Sequence, residues 1–210
     1  MSDKINRNAK KIAKASPEEL SSYLCRPLTE ELPLAVSDQG LDENGQAVDL
    51  SVVIERPLTL YVNSQEIVTM MTIGDHPKDL ARGYLLNQNM LKPGDLITEI
   101  DYDDDLGVVV VRTEKPLDFQ EKLQKKTLTS GCAQGTAFGD VMESFDDVVL
   151  DTTTKLSTSG LTRLLGLINR TPSLYLEAGA IHGCVLADGE TPLVYMEDVG
   201  RHNAVDKIAG

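Results

Sequence analysis

Glu197-Asp198-Val199-Gly200-Arg201-His202-Asn203-Ala204-Val205-Asp206-Lys207 gathers acids, cations and an amide around one glycine. It follows the β-prone segment Pro192 to Val199. Asn203 suits a helix N-cap and Asp206 the N3 place of a capping box. The run therefore reads as a strand, a turn and the opening of a helix. Free amides at a helix N-terminus carry partial positive charge. With Arg201 and His202 beside them, such a corner can hold phosphate or another anion. The same residues also suit an ordinary αβ corner in which Arg201 pairs with Glu197 or Asp198. The density of functional side chains at one turn favours the anion site. A helix opening this late normally continues, so the 210 residues are expected to belong to a longer chain.

Upstream of this corner, Leu174 to Ala187 reads as one long strand that contains Gly179 and Gly183, with Asp188-Gly189 as the hairpin turn into Pro192–Val199. Strand alternation puts His182 and Cys184 on one face. That pair suits a metal, a nucleophile with its base, or a buried sheet with a satisfied ring. Further ligands at zinc-like spacing are missing nearby. Leu156 to Arg170 is predicted as a helix capped within Ser157–Ser159, its core face formed by Leu161, Leu164, Leu165 and Ile168. Pro172 stops it.

Further upstream, Leu50–Ile54, Leu58–Asn63 and Glu66–Thr72 read as strands, the last two as a hairpin about Asn63-Ser64. A helix follows, with Asp75 as cap, Pro77 in its first turn and Leu80, Ala81, Tyr84 and Leu85 on one core face. Ile97–Ile100 and Val108–Arg112 are predicted strands around the acidic tip Asp101–Asp105, a solvated turn without EF-hand spacing. Arg26 to Gly45 shows no sustained period and reads as a linker or extended arm after a solvated tail.

Ser130-Gly131-Cys132-Ala133-Gln134-Gly135-Thr136 places a cysteine between glycines, after the basic stretch Lys122 to Lys126. Nearby positive charge favours the thiolate, the reactive form of cysteine. Gly131 and Gly135 allow close approach of another molecule. The alternative is a turn with an inert small side chain. No GxxxxGK[ST], GxSxG or HExxH motif is present.

A formal charge of -13 argues against sequence-independent nucleic-acid binding, which needs a basic footprint. The three cysteines are widely spaced and odd in number, so a disulfide framework is not expected. A reducing, cytoplasmic setting fits them. No apolar run approaches the ~20 residues of a membrane span.

The run 197–207 is similar to the signature of the formate dehydrogenase accessory proteins, the FdhD family. Glu55-Arg56-Pro57-Leu58 with Val62-Asn63, Asp79 to Leu85, and Gly179-Ala180-Ile181-His182 resemble the family's opening strands, first helix and glycine-histidine strand. The resemblance implies a sulfurtransferase. Sulfur received from a cysteine desulfurase would pass as a persulfide of Cys132 to the molybdenum bis-guanine-dinucleotide cofactor, before that cofactor enters formate dehydrogenase. It also implies an α/β, cytidine-deaminase-like mixed sheet with a β-rich N-terminal part, and a homodimer. On this basis 1–46 would be tail and linker, 47–153 the β-rich part with the Cys132 loop, and 154–210 the start of the deaminase-like unit.

The expected cofactor-binding residues are Gly131, Gly135, Gly179, His182, Gly200, Arg201, His202 and Asn203. No resident metal, nucleic acid or membrane partner is expected. Gly135 stands where the family loop often has a second cysteine, which raises the alternative of a cofactor-binding chaperone that transfers no sulfur. A zinc deaminase is a third reading, but the glutamate of its H-x-E motif is not in place after His202.

Overall fold

The computed structural model describes residues 33–92, 94–115, 127–128, 135–136, 149, 153 and 155–210, with 127–128 and 135–136 described by their backbone alone. It begins with the antiparallel hairpin of β1 (Ala35–Leu41) and β2 (Ala47–Val53). At its turn the Asp42 carboxylate accepts from the amides of Asn44 at 2.9 Å and Gln46 at 2.8 Å, and Gly45 takes φ 77°. Strand β1 occupies residues read from sequence as linker, so the boundary expected at 46 falls inside a hairpin. The exposed Val36 and Val52 face each other across it. With apolar groups on an exposed face, the usual in-out alternation is blurred.

The main sheet has the order β4-β3-β6-β5. Strands β3 (Arg56–Val62) and β4 (Gln65–Thr72) form the expected hairpin, turning through Asn63 at φ 53°. β5 (Ile97–Asp103) and β6 (Val108–Thr113) form the second, and β6 runs parallel to β3. Period-two burial is clean on the central strands: Leu58, Leu60 and Val62 of β3, and Val109 and Val111 of β6, are buried. Helix α1 (Pro77–Asn87) lies on that face through Leu80, Ala81, Tyr84 and Leu85, as its spacing predicts. Each fully buried aliphatic side chain here contributes about 1.5–3 kcal/mol of transfer free energy. The cap differs from expectation. His76, in the left-handed region at φ 48°, occupies the N-cap position and makes no side-chain cap bond. Asp75 turns inward to Lys207 instead.

Two short strands, β7 (Thr127–Leu128) and β8 (Gly135–Thr136), pair antiparallel with Leu128 opposite Gly135. They bracket residues 129–134, so Gly131 and Cys132 lie outside the described residues, as do the stretches 119–126 and 141–148.

Helix α2 (Thr158–Ile168) starts at Ser157, whose hydroxyl accepts from Gly160 N at 3.0 Å. Its buried residues are Gly160, Leu164 and Leu167, while Leu161 and Leu165 are exposed. The expected face is therefore rotated. Gly160 packs against the Glu190 carboxylate, which Arg163 grips through two bonds of 2.8 and 2.6 Å.

The single long strand expected from Leu174 to Ala187 is also corrected. Leu174–Ala178 is a short helix, α3, and only His182–Asp188 is strand, β9. Ser173 caps α3, the Glu197 carboxylate accepts from Leu174 N and Tyr175 N at 3.0 Å each, and Gly179 ends it at φ 77°. Capping bonds and a left-handed C-cap outweigh the local strand pattern. β9 pairs with β10 (Thr191–Asp198) through the expected hairpin, and α4 (Arg201–Ala209) follows. Ile73, Leu174 and Ile181, joined by Leu34, Ala35, Val53 and Val199, form a second core that ties the β1–β2 hairpin to this C-terminal part.

Candidate functional site

Gly200 is the N-cap of α4, and its amide donates to Asp198 Oδ1 at 2.9 Å. Asn203, expected as the cap, is instead buried inside the first turn. Its Nδ2 donates to Asp198 Oδ1 at 2.9 Å and to the Met71 carbonyl at 2.8 Å. Asp198 Oδ2 accepts from Thr72 Oγ1 at 2.5 Å and faces Lys207 Nζ at 2.6 Å. Lys207, whose side chain is fully buried, also donates to Asp75 and to the Glu197 carbonyl. The edge of β4, the loop before α1, the end of β10 and the first turns of α4 thus share one buried polar network. Burying such charges is costly unless they are paired and hydrogen-bonded. Here the pairing is dense.

The close packing continues along α4. A Cβ on Gly83 would collide with the Asp206 carbonyl, so α1 and α4 approach backbone to backbone. Asp206 itself is buried and accepts from Asn87 Nδ2 at 2.6 Å.

Glu197 and Asp198 are committed to these interior contacts, so Arg201 does not pair with them as the ordinary-corner reading had it. Arg201 and His202 are exposed at the start of α4. His182 is exposed and lies opposite Asp198 in the β9–β10 register. The fold therefore gathers His182, Gly200, Arg201 and His202 at one end of the hairpin. Gly179, by contrast, serves as a helix C-cap. Gly183 makes room for Tyr195, whose hydroxyl donates to Glu197 Oε1 at 2.9 Å. Cys184 is half-buried, and burial pushes its thiol up, away from the reactive thiolate.

Sequence reasoning gave Thr72 only the end of a strand, and Asp75, Asp206 and Lys207 only capping or helical places. One signal was available. Asn203, Ala204, Asp206 and Lys207 recur at i, i+1, i+3 and i+4, a core-facing stripe that a search for apolar residues passes over.

A family model described as the FdhD/NarQ family matches residues 53–210. The chain belongs to the FdhD/NarQ family. A Listeria innocua protein named sulfur carrier protein FdhD is 31% identical, over 79% of this chain and 64% of its own length. A Bacillus subtilis protein of the same name is 28% identical, over 84% of this chain and 68% of its own. A crystal structure from Desulfotalea psychrophila, described as a formate dehydrogenase accessory protein, superposes with a TM-score of 0.61 at 24% identity, over 84% of this chain and 68% of that one. That likeness concerns the fold. The chain spans 64% of the Listeria innocua relative and 61% of a Bacillus pumilus one. Within the FdhD/NarQ match lie both the buried network and the exposed corner.

Proposed function

We propose that the protein is a sulfur carrier in formate dehydrogenase maturation. The family match over 53–210, which includes the whole run 197–207, carries this reading. Relatives named sulfur carrier protein support it. In the proposed reaction the Cys132 thiolate attacks the terminal sulfur of a cysteine desulfurase persulfide. A new S–S bond forms as the donor's breaks, and the donor thiolate leaves and takes up a proton. No net oxidation occurs. The outer sulfur then passes to the molybdenum bis-guanine-dinucleotide cofactor, which is substrate and cargo here. The Cys132–sulfur bond breaks and Cys132 leaves as thiolate. A two-electron reductant, the reduced metal of the cargo or an added thiol, takes the sulfur to sulfide.

Arg201, His202 and His182 are the residues proposed to face the anionic groups of that cargo, with Gly200 fixing the corner. Asn203 contributes from inside, by holding the Asp198 carboxylate that accepts from the Gly200 amide. The β9–β10 hairpin flanked by helices would be one edge of the cytidine-deaminase-like sheet. A cytoplasmic setting and a homodimer belong to the same proposal. Among the described residues no helix is long and apolar enough to cross a membrane.

Gly135, where a second loop cysteine is often found, favours a second reading: a chaperone that binds the cofactor and transfers no sulfur. Incubating the protein with a cysteine desulfurase and cysteine, then mapping persulfide by mass spectrometry, separates the two. The carrier reading expects an added sulfur on Cys132 and loss of formate dehydrogenase activation in Cys132→Ala. Cys132 without sulfur, together with full activation by Cys132→Ala, leaves the chaperone.

A further inference from the structure

The seam between α1 and α4 holds an acid that has no cation of its own among the described residues. Asp206 is buried where the two helices touch at Gly83, and its hydrogen-bond donor is the neutral Asn87 amide. The groups around it do not supply a positive charge. From α1, Tyr84 presents a phenol pushed up to about 12 by burial and by Asp206 itself. From β10 comes a second carboxylate, Asp198. On α4, the neighbouring Lys207 ammonium is turned away to Asp75 and Asp198, and His202, one turn earlier, is exposed. Arg82 of α1 spends a guanidinium donor on the Gly210 carbonyl at 3.3 Å, beside Asp79.

We propose that the seating of α4 on α1 is proton-linked through Asp206: in mildly acidic solution the seated helix holds a proton on this carboxyl and releases it when the helix lifts. Burial pushes the Asp206 carboxyl up from 3.8 to about 6, the Asn87 bond opposes this, and the Asp198 charge adds to it. A group whose folded form binds its proton more tightly favours folding at low pH. Its contribution declines as pH rises from about 4 through about 6 and is level above. Arg201 and His202 open the same helix, so the rigidity of the exposed corner follows the same proton. The inference concerns the seam alone and holds whether or not the protein carries sulfur.

The test is urea unfolding followed by far-UV circular dichroism from pH 4.5 to 8, on the protein and on Asp206→Asn. The amide keeps the oxygen that accepts from Asn87 and cannot ionise. The gap between the two midpoints is expected to widen in the variant's favour from pH 4.5 to about 6.5 and to stay level above that. Parallel curves over the whole range would overturn the proposal. Should the variant not fold, the ¹³C carboxyl resonance of Asp206 in the unmodified protein decides. A midpoint near pH 6 supports the linkage, and one in the ordinary carboxylate range near 4 refutes it.

Discussion

Lys207 Nζ lies 2.6 Å from Asp198 Oδ2, and neither side chain is exposed at all. The lysine closes the run 197–207 and the aspartate stands near its start, so the segment is folded back on itself. Five of its seven polar residues, Glu197, Asp198, Asn203, Asp206 and Lys207, are buried. The ammonium is also hydrogen-bonded to Asp75 and to the Glu197 carbonyl. The lysine therefore pins three chain segments, and the orientation of the Gly200 turn depends on it.

Replacing that lysine strands two buried carboxylates. Lys207→Met is expected to cost about 3–5 kcal/mol, the range for breaking a buried ion pair by removing one partner. Urea unfolding checks it. Adding Asp198→Asn to Lys207→Met should recover part of the loss, because one of the stranded charges goes with it. A Lys207→Met protein as stable as the parent would show that the network does not support the corner.

The helix seam makes a prediction of opposite sign to helix propensity. In an exposed helix interior, Gly→Ala stabilises by about 1 kcal/mol. At Gly83 the added methyl meets the Asp206 carbonyl, a backbone atom that cannot swing aside. Gly83→Ala should therefore destabilise, by about 1–3 kcal/mol as for other overpacked sites. The denaturation midpoint reads the sign directly, and a rise would mean that the helices separate freely.

Much of this was legible in the residues, for identifiable reasons. β3 and α1 set large apolar side chains at regular intervals, so Leu58, Leu60 and Val62, and Leu80, Tyr84 and Leu85, announce their periods, while β6 is a run of β-branched valines. The C-terminal part was harder. Leu174-Tyr175-Leu176-Glu177-Ala178 has the composition of either element. What makes it a helix is the carboxylate of Glu197, twenty-odd residues away in sequence, which satisfies the Leu174 and Tyr175 amides. Local patterns do not contain that contact. α2 turned its Gly160 face inward because Glu190 lies against it, another contact made across the fold. In the run 197–207 the sequence showed where charged and polar residues cluster. It did not show that Asp198, Asn203, Asp206 and Lys207 are interior while Arg201 and His202 face solvent.

That division supplies the last prediction. Arg201 is exposed and stands apart from the buried network, so reversing its charge should leave the fold intact while removing a cation from the proposed anion site. Guanosine diphosphate, which carries the guanine and two phosphates found at each end of the proposed cargo, is the probe. A hydrogen bond to a charged group is worth about 1.5–3 kcal/mol, so Arg201→Glu is expected to weaken its binding roughly tenfold to a hundredfold by isothermal titration calorimetry. The urea midpoint should stay where it was. Lys207→Met serves as the contrast, since it should lower the midpoint as well as the affinity. Undiminished binding by Arg201→Glu would move the anion site away from this corner, and with it the assignment of His182 and His202.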